Sequence, residues 1–225
     1  MKFKLLERIS NQEAIEYIKE NCQPILEYYK KSSGRLWRGM GFGAEIPVII
    51  KDVRKDRKPK DTPIPVNNYI DNYFYQKFGW RAKSESLFTT SNPKQATMYG
   101  ELYQIFPVGQ FGCLWSYDVH DLYQDFTKFP QLGLINYINI EDNKDMKLEW
   151  WRPEQDVDID WSTEVGKNLM IFLEDKLGTY KEGNLESALS SGNEIMIDCD
   201  KYVTISYANH LDEFAEALGI PYRGL

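Results

Sequence analysis

Three groups of polar residues in this chain have the types and settings that carry chemistry at strand ends. Glu194 follows a Gly-Asn turn and opens the stretch E-I-M-I-D, whose alternation predicts a strand. Arg38 lies in a short strand-like segment, L-W-R-G. Three hydroxyl residues, Thr89, Thr90 and Ser91, follow Phe88 between a predicted strand and a short predicted helix. These residues are the candidates for a functional site.

Each residue type suits a particular task. A carboxylate at the mouth of a strand is fixed by the sheet and faces a cleft, so Glu194 could stabilise positive charge that develops on a substrate. Arginine presents a planar, permanently charged donor fork that suits phosphate, which makes Arg38 a candidate phosphate ligand. The hydroxyls could orient Arg38 or a bound amide. The commoner uses of such residues are a solvated strand end for the carboxylate and a helix cap for the hydroxyls.

The elements that position these residues are those of one α+β domain spanning residues 1–225, with an N-terminal helical segment over about residues 1–33. A capping box formed by Ser10 and Glu13 starts the first helix, and Pro24 breaks it. A second long helix is predicted to about Phe78 with Thr62 as its cap. Further strands are predicted over 102–108 and 112–117, and further helices over 118–126, 161–176 and 210–218, with an acidic loop over 142–160.

Composition narrows the class of protein. Hydrophobic residues make up 42% of the chain and aromatic residues 14%, as in a globular domain. The three separated cysteines predict the reduced thiols of a cytoplasmic protein, and two histidines do not make a zinc site, so no metal is predicted. No apolar run is long enough to span a membrane, and the N-terminus is too short and charged for a signal peptide.

The charge is unevenly distributed. The net charge of −7 argues against a surface that binds nucleic acid throughout. Residues 51–60 nevertheless carry six basic and two acidic side chains. This basic run is either a solvated loop or a contact to a polyanionic partner. Its basic members are Lys51, Arg54, Lys55, Arg57, Lys58 and Lys60.

The order and spacing of these pieces resemble the R-S-E type of the ADP-ribosyltransferase superfamily. In that family an arginine ends the first core strand, an aromatic residue and a hydroxyl triplet precede a short helix, and a glutamate opens a late strand after a turn of small residues. The matching residues are Arg38 and Gly39, then Phe88, Thr89, Thr90 and Ser91, then Ala96 and Tyr99, and last Glu194. The similarity covers most of the chain, although each motif is short.

Two positions depart from the family pattern. Thr89 stands where the family usually has serine, which keeps the hydroxyl. Gly192 stands two residues before Glu194, where members that modify arginine carry a second glutamate. The resemblance therefore does not imply that arginine is the acceptor.

The resemblance implies a fold, a substrate and a set of roles. The fold would be an ADP-ribosyltransferase-like split β-sandwich with flanking helices, and NAD would be consumed as a substrate. Glu194 would stabilise an oxocarbenium-like ribose, and Arg38 would bind the diphosphate. The hydroxyl triplet would hold both residues in place, and the nicotinamide would stack on Tyr99, Phe88 or Tyr103.

Several alternatives stay open at this point. ADP-ribose could pass to a macromolecule, a protein or a nucleic acid, reached through the basic run. An NAD glycohydrolase would use the same residues with water as the acceptor. A non-catalytic binding or inhibitor protein would use only the basic run. A conventional glycosidase needs a second carboxylate, for which Glu101 and Asp118 are the nearest candidates.

Overall fold

The chain is built on an antiparallel sheet, whose eight strands are formed by residues of the ranges 10–41, 48–59, 62–127, 159–208 and 211–221 that the computed structural model describes. The strands are β1 (Trp37–Met40), β2 (Val48–Asp52), β3 (Leu87–Thr90), β4 (Glu101–Pro107), β5 (Gly112–Trp115), β6 (Lys181–Glu182), β7 (Glu194–Asp198) and β8 (Lys201–Ser206). Their order across the sheet is β2-β8-β4-β1-β3-β7-β5-β6. The structure is therefore a mixed α/β fold with antiparallel pairing throughout the described sheet.

The two middle strands are joined at a single position. Trp37 of β1 pairs with Thr90 of β3, whereas β1 pairs with β4 at four positions and β3 pairs with β7 at four positions. The sheet therefore consists of two four-stranded halves, which are joined only weakly where β1 meets β3. We call this line, marked by Trp37 and Thr90, the β1–β3 seam.

Helices flank both faces of the sheet. They are α1 (Asn11–Asn21), α2 (Gln23–Lys31), α3 (Ile64–Phe78), α4 (Ala82–Glu85), α5 (Pro93–Thr97), α6 (Leu122–Thr127), α7 (Glu164–Gly178), α8 (Leu185–Ser191) and α9 (Leu211–Leu218). The predicted capping box is present, because Ser10 and Glu13 bond to each other's backbone N–H groups. The cap predicted for α3 is wrong: the helix begins after Pro63, with no side-chain cap, because Thr62 lies one residue too early.

The core divides between the two faces of the sheet. On one face, Ile195 and Ile197 pack in a cluster that contains residues of α1, α2 and α9. Met196, between them in sequence, packs on the other face with residues of α3 and α7. This alternation is the two-residue period of a strand that is buried on both sides. It holds β7, and with it Glu194, rigidly in the sheet.

The remaining expectations concern loops and surfaces. All three cysteines are buried and unpaired. The acidic loop predicted over 142–160 lies outside the described residues except for its last two positions. Within the described part of the chain, no helix has the length and apolar character needed to cross a membrane.

Candidate functional site

A cavity of about 320 Å³ opens at the β1–β3 seam, a size within the range of small-ligand sites. It brings together residues that are far apart in the chain, and we call it the seam cavity. Its lining residues are Trp37, Arg38, Gly39, Arg57, Lys83, Phe88, Thr89, Thr90, Gln95, Ala96, Tyr99, Asp121 and Glu194. Of the residues that the sequence predicts for the NAD site, only Ser91 and the stacking candidate Tyr103 do not line it.

The register of the central strands explains this meeting. Glu194 of β7 lies opposite Thr90 of β3, and Thr90 lies opposite Trp37 of β1. Arg38 follows Trp37 directly. Three neighbouring strands therefore carry the arginine, the hydroxyls and the glutamate across the sheet at one level.

The turn before Glu194 is fixed by buried hydrogen bonds. The side-chain amide of Asn193 is buried and donates to the carbonyls of Ser116 and Tyr117, at 2.9 Å each. The backbone N–H of Glu194 donates to the carbonyl of His120 at 3.0 Å. Because Asn193 is tied to the segment after β5, the next residue enters the cavity in a defined position.

The Glu194 carboxyl group is held in an unfavourable environment for a charge. Its Oε1 atom is buried and has no hydrogen-bond partner among the described residues. Burial, helped by the charge of Asp121 and opposed by Lys83, the backbone N–H of Leu122 and Arg57, raises the pKa of Glu194 to about 7. The group therefore changes charge near neutral pH, which is typical of functional carboxylates.

Arg38 spans the seam. Its Nη1 atom donates to the carbonyl of Phe88 on β3 at 2.5 Å. Its Nε atom is buried and has no partner within the described ranges. Burial lowers the pKa of Arg38, although Tyr202 and Glu194 oppose this effect. One nitrogen of the guanidinium therefore links the two strands, and the Nε atom of this cavity-lining residue is left with an unsatisfied donor.

The hydroxyl triplet acts on the backbone around Glu194. The Thr89 hydroxyl donates to the carbonyl of Ile195 at 2.9 Å, and the Thr90 hydroxyl lies 2.9 Å from Oε1 of Gln95. Ser91 lies outside the seam cavity and lines a separate cavity. Among the described residues, none of these hydroxyls bonds to the side chain of Arg38 or Glu194. Thr89 and Thr90 therefore act on Glu194 only through the backbone on either side of it, at Ile195 and Gly192, and Ser91 has no such contact among the described residues.

The aromatic candidates for stacking are separated by the structure. Tyr99 lines the seam cavity, is 53% exposed, and donates its hydroxyl to Oδ2 of Asp121 at 2.6 Å. Phe88 also lines the cavity. Tyr103 is fully buried in the core and does not line it. Tyr99 and Phe88 are therefore the aromatic residues that a ligand in the cavity could contact.

Gly39 has a packing role beside its place in the motif. A Cβ atom at this position would lie 2.0 Å from the carbonyl oxygen of Ala96. Such a contact is impossible without moving backbone, so only glycine lets α5 approach β1 this closely. The close approach brings Tyr99 to the cavity.

No family model, curated protein or solved structure matches this chain.

Three polar lining residues, Lys83, Gln95 and Asp121, were missed from the sequence, and Arg57 was predicted only as a member of the basic run. Asp121 is buried and bonds to the backbone N–H of Gln124 three residues later, an N-cap spacing that was visible in the sequence. It is the second carboxylate of the cavity. Lys83 carried no sequence signal of its own.

The two residues predicted as candidates for a second carboxylate lie outside the cavity. The two candidates, Glu101 and Asp118, are exposed and do not line the seam cavity. Within the described ranges, no group of three or more histidine, cysteine, aspartate or glutamate residues is placed to hold a metal ion.

The basic run does not form one uniform surface. Arg57 lines the seam cavity, whereas Lys55 pairs with Asp198 at 3.1 Å. Arg54 and Lys58 are exposed, Lys51 is half-buried in β2, and Lys60 lies outside the described residues. The solvated-loop interpretation therefore fits some of these residues, and Arg57 belongs to the candidate site.

Proposed function

We propose that this protein is an ADP-ribosyltransferase that cleaves NAD at the nicotinamide–ribose bond and transfers ADP-ribose to a macromolecular acceptor. The proposal extends to the fold, an ADP-ribosyltransferase-like split β-sandwich. The near-separation of the sheet into two four-stranded halves at the β1–β3 seam supports this assignment.

One observation carries the proposal. A single cavity holds Arg38, the threonines of the triplet and Glu194, and the buried Oε1 of Glu194 has no partner among the described residues. A carboxylate oxygen withheld from both water and protein is costly to bury. Its position is explained if a substrate supplies the missing partner, such as a ribose hydroxyl, and develops positive charge beside it.

The residues of the seam cavity can account for each step of the proposed cleavage of NAD. As the bond from ribose C1′ to the nicotinamide nitrogen breaks, its electron pair leaves with nicotinamide, and the ribose acquires oxocarbenium character. Ionised Glu194 stabilises that charge, while Arg38 neutralises charge on the diphosphate. An acceptor nucleophile then attacks C1′ and loses its proton to water or to Asp121, the other carboxylate that lines the cavity. Tyr99 and Phe88 supply aromatic surface for the nicotinamide.

The identity of the acceptor distinguishes a transferase from an NAD glycohydrolase. Asp121 could take a proton from water as well as from a macromolecule, so an NAD glycohydrolase with the same residues is the second candidate. Labelled NAD incubated with the protein and a cell lysate distinguishes the two. Label on protein or nucleic acid supports transfer, and label recovered only as free ADP-ribose supports hydrolysis.

The role of Glu194 is tested with Glu194→Gln, which keeps the size of the side chain and removes its charge. We expect nicotinamide release to fall by about 100-fold or more, the usual magnitude for one electrostatic contact in a transition state. Glu101→Gln is the matched control, because Glu101 also opens a strand but is exposed and outside the cavity. Equal release by the parent and by the Glu194 variant would contradict the assigned role.

A further inference from the structure

We propose that Arg57 and Lys83, together with Arg38, form a diphosphate-binding site inside the seam cavity. The inference rests on the proposed function only in taking NAD as the source of the diphosphate. Of the three cations, Arg38 alone belongs to the sequence motif that resembles the ADP-ribosyltransferase superfamily.

The three cations are arranged around one residue, Phe88. The guanidinium carbon of Arg57 lies 4.8 Å from the centre of the Phe88 ring, and Nζ of Lys83 lies 5.0 Å from it. Arg38 donates to the carbonyl of the same residue at 2.5 Å. An aromatic ring attracts cations to its face, so the Phe88 ring holds Arg57 and Lys83 while its backbone carbonyl holds Arg38, and all three line the seam cavity.

Arg57 is placed there by contacts between its loop and α4. Its backbone N–H donates to the carbonyl of Ser84 at 3.4 Å, and its Nη2 donates to the carbonyl of Ser86 at 2.5 Å. These bonds fix the guanidinium at the cavity. They occupy one of its three nitrogens, and the remaining donors suit the oxygens of a phosphate.

The three cations have no anionic partner close by in the part of the chain that the structure describes. None of them lies within 4.0 Å of a carboxylate oxygen there, whereas Lys55 lies 3.1 Å from Asp198. Lys83 Nζ makes no hydrogen bond to a described residue. Burial, with the charges of Arg38 and Arg54, lowers the pKa of Arg57 to about 10. A bound anion would relieve this crowding of like charges.

The number of charged groups in the cavity favours a diphosphate over a single phosphate. The cavity is lined by three cations and by two carboxylates, Glu194 and Asp121. Asp121 is already bonded to the Tyr99 hydroxyl, and Glu194 must remain available to the ribose in the proposed reaction. The oxygens of two linked phosphates can bind all three cations at once. A single phosphate offers fewer oxygens and less charge to the same three groups.

The same cations tune the catalytic carboxylate. Lys83 and Arg57 both lower the pKa of Glu194, in opposition to burial. Removing either cation should therefore move the acid limb of the activity profile to higher pH. A residue that served only to hold the loop in place would change stability without this shift.

The test measures binding of inorganic pyrophosphate and of ADP-ribose by calorimetry to the full chain and to Lys83→Met, Arg57→Gln and Arg57→Lys. Lys83→Met keeps the apolar stem and removes no hydrogen bond to a described residue, so it is expected to fold. Lys58→Met is the matched control, because Lys58 is exposed on the same loop as Arg57. We expect Lys83→Met and Arg57→Gln each to weaken binding by about tenfold or more, as for a charge-assisted hydrogen bond, and Arg57→Lys to weaken it less.

Each outcome has a distinct meaning. A parent protein that binds neither probe, or variants that bind both as tightly as Lys58→Met, would overturn the diphosphate site. Loss of binding in the variants, in a protein that releases no nicotinamide from NAD, would uphold the site and refute the proposed function. Nicotinamide release with unchanged KM and unchanged pH profile in Lys83→Met would uphold the function and refute the site.

Discussion

Replacing Glu194 by glutamine should stabilise the folded protein at the same time as it removes activity. The folded protein raises the pKa of this carboxyl group from 4.5 to about 7, chiefly by burying it. The folded state therefore binds the proton more tightly than the unfolded chain does. The resulting stabilisation is fully present below pH 4.5 and is lost as the pH rises through about 7.

The size of the effect follows from that rise. At about 1.4 kcal/mol per pH unit, a rise in pKa from 4.5 to about 7 corresponds to at most about 3.5 kcal/mol. Glutamine resembles the protonated acid and has no charge to lose. We expect Glu194→Gln to match the parent near pH 4.5 and to exceed its free energy of unfolding by about 1–3 kcal/mol at pH 8.

The assay is urea unfolding of both proteins at intervals between pH 4.5 and pH 8, followed by tryptophan fluorescence. Glu101→Gln is the control for removing an exposed glutamate and should show no such dependence on pH. A difference between parent and Glu194→Gln that stays flat across this range would refute the environment assigned to Glu194. A variant that is more stable yet inactive has lost a group that the fold tolerates only for its function.

Two further predictions follow from the same site. The rate of nicotinamide release by the parent should rise with pH and level off above about 7, because Glu194 must be ionised in the proposed reaction. An acid limb near pH 4.5 would contradict this. Gly39→Ala should lower both the melting temperature and the affinity for NAD, because its Cβ would lie 2.0 Å from the Ala96 carbonyl oxygen and push α5 away. Gly112→Ala, whose Cβ would meet nothing closer than 3.6 Å, should be tolerated.

Local signals in the sequence were enough to predict most of the elements around the site. The capping box of Ser10 and Glu13 starts α1, and the Gly-Asn turn before Glu194 leads into β7. Both signals act over a few residues, through hydrogen bonds or backbone conformations that specific residue types favour. The cap of α3 failed for a related reason, since Pro63 sets the start of that helix and leaves Thr62 outside it.

The positions of Arg57 and Lys83 in the seam cavity could not be predicted from such local signals. Arg57 lies in a run of basic residues whose local sequence gives no reason to separate it from its neighbours. What distinguishes it is the docking of its loop on α4, through the carbonyls of Ser84 and Ser86. Lys83 likewise acquires its setting from Phe88, which lies on another element. Contacts of this kind depend on tertiary packing, and no periodicity or capping pattern encodes them.

The β1–β3 seam connects the stability of the sheet to its function. A continuous ladder between these strands would add backbone hydrogen bonds worth about 1 kcal/mol each, and it would also close the seam cavity. The chain instead pairs the strands once, at Trp37 and Thr90, and adds a side-chain bond from Arg38 to Phe88. A side-chain bond leaves space beside it that a ladder would fill. Arg38, which joins the two halves of the sheet, consequently also lines the seam cavity.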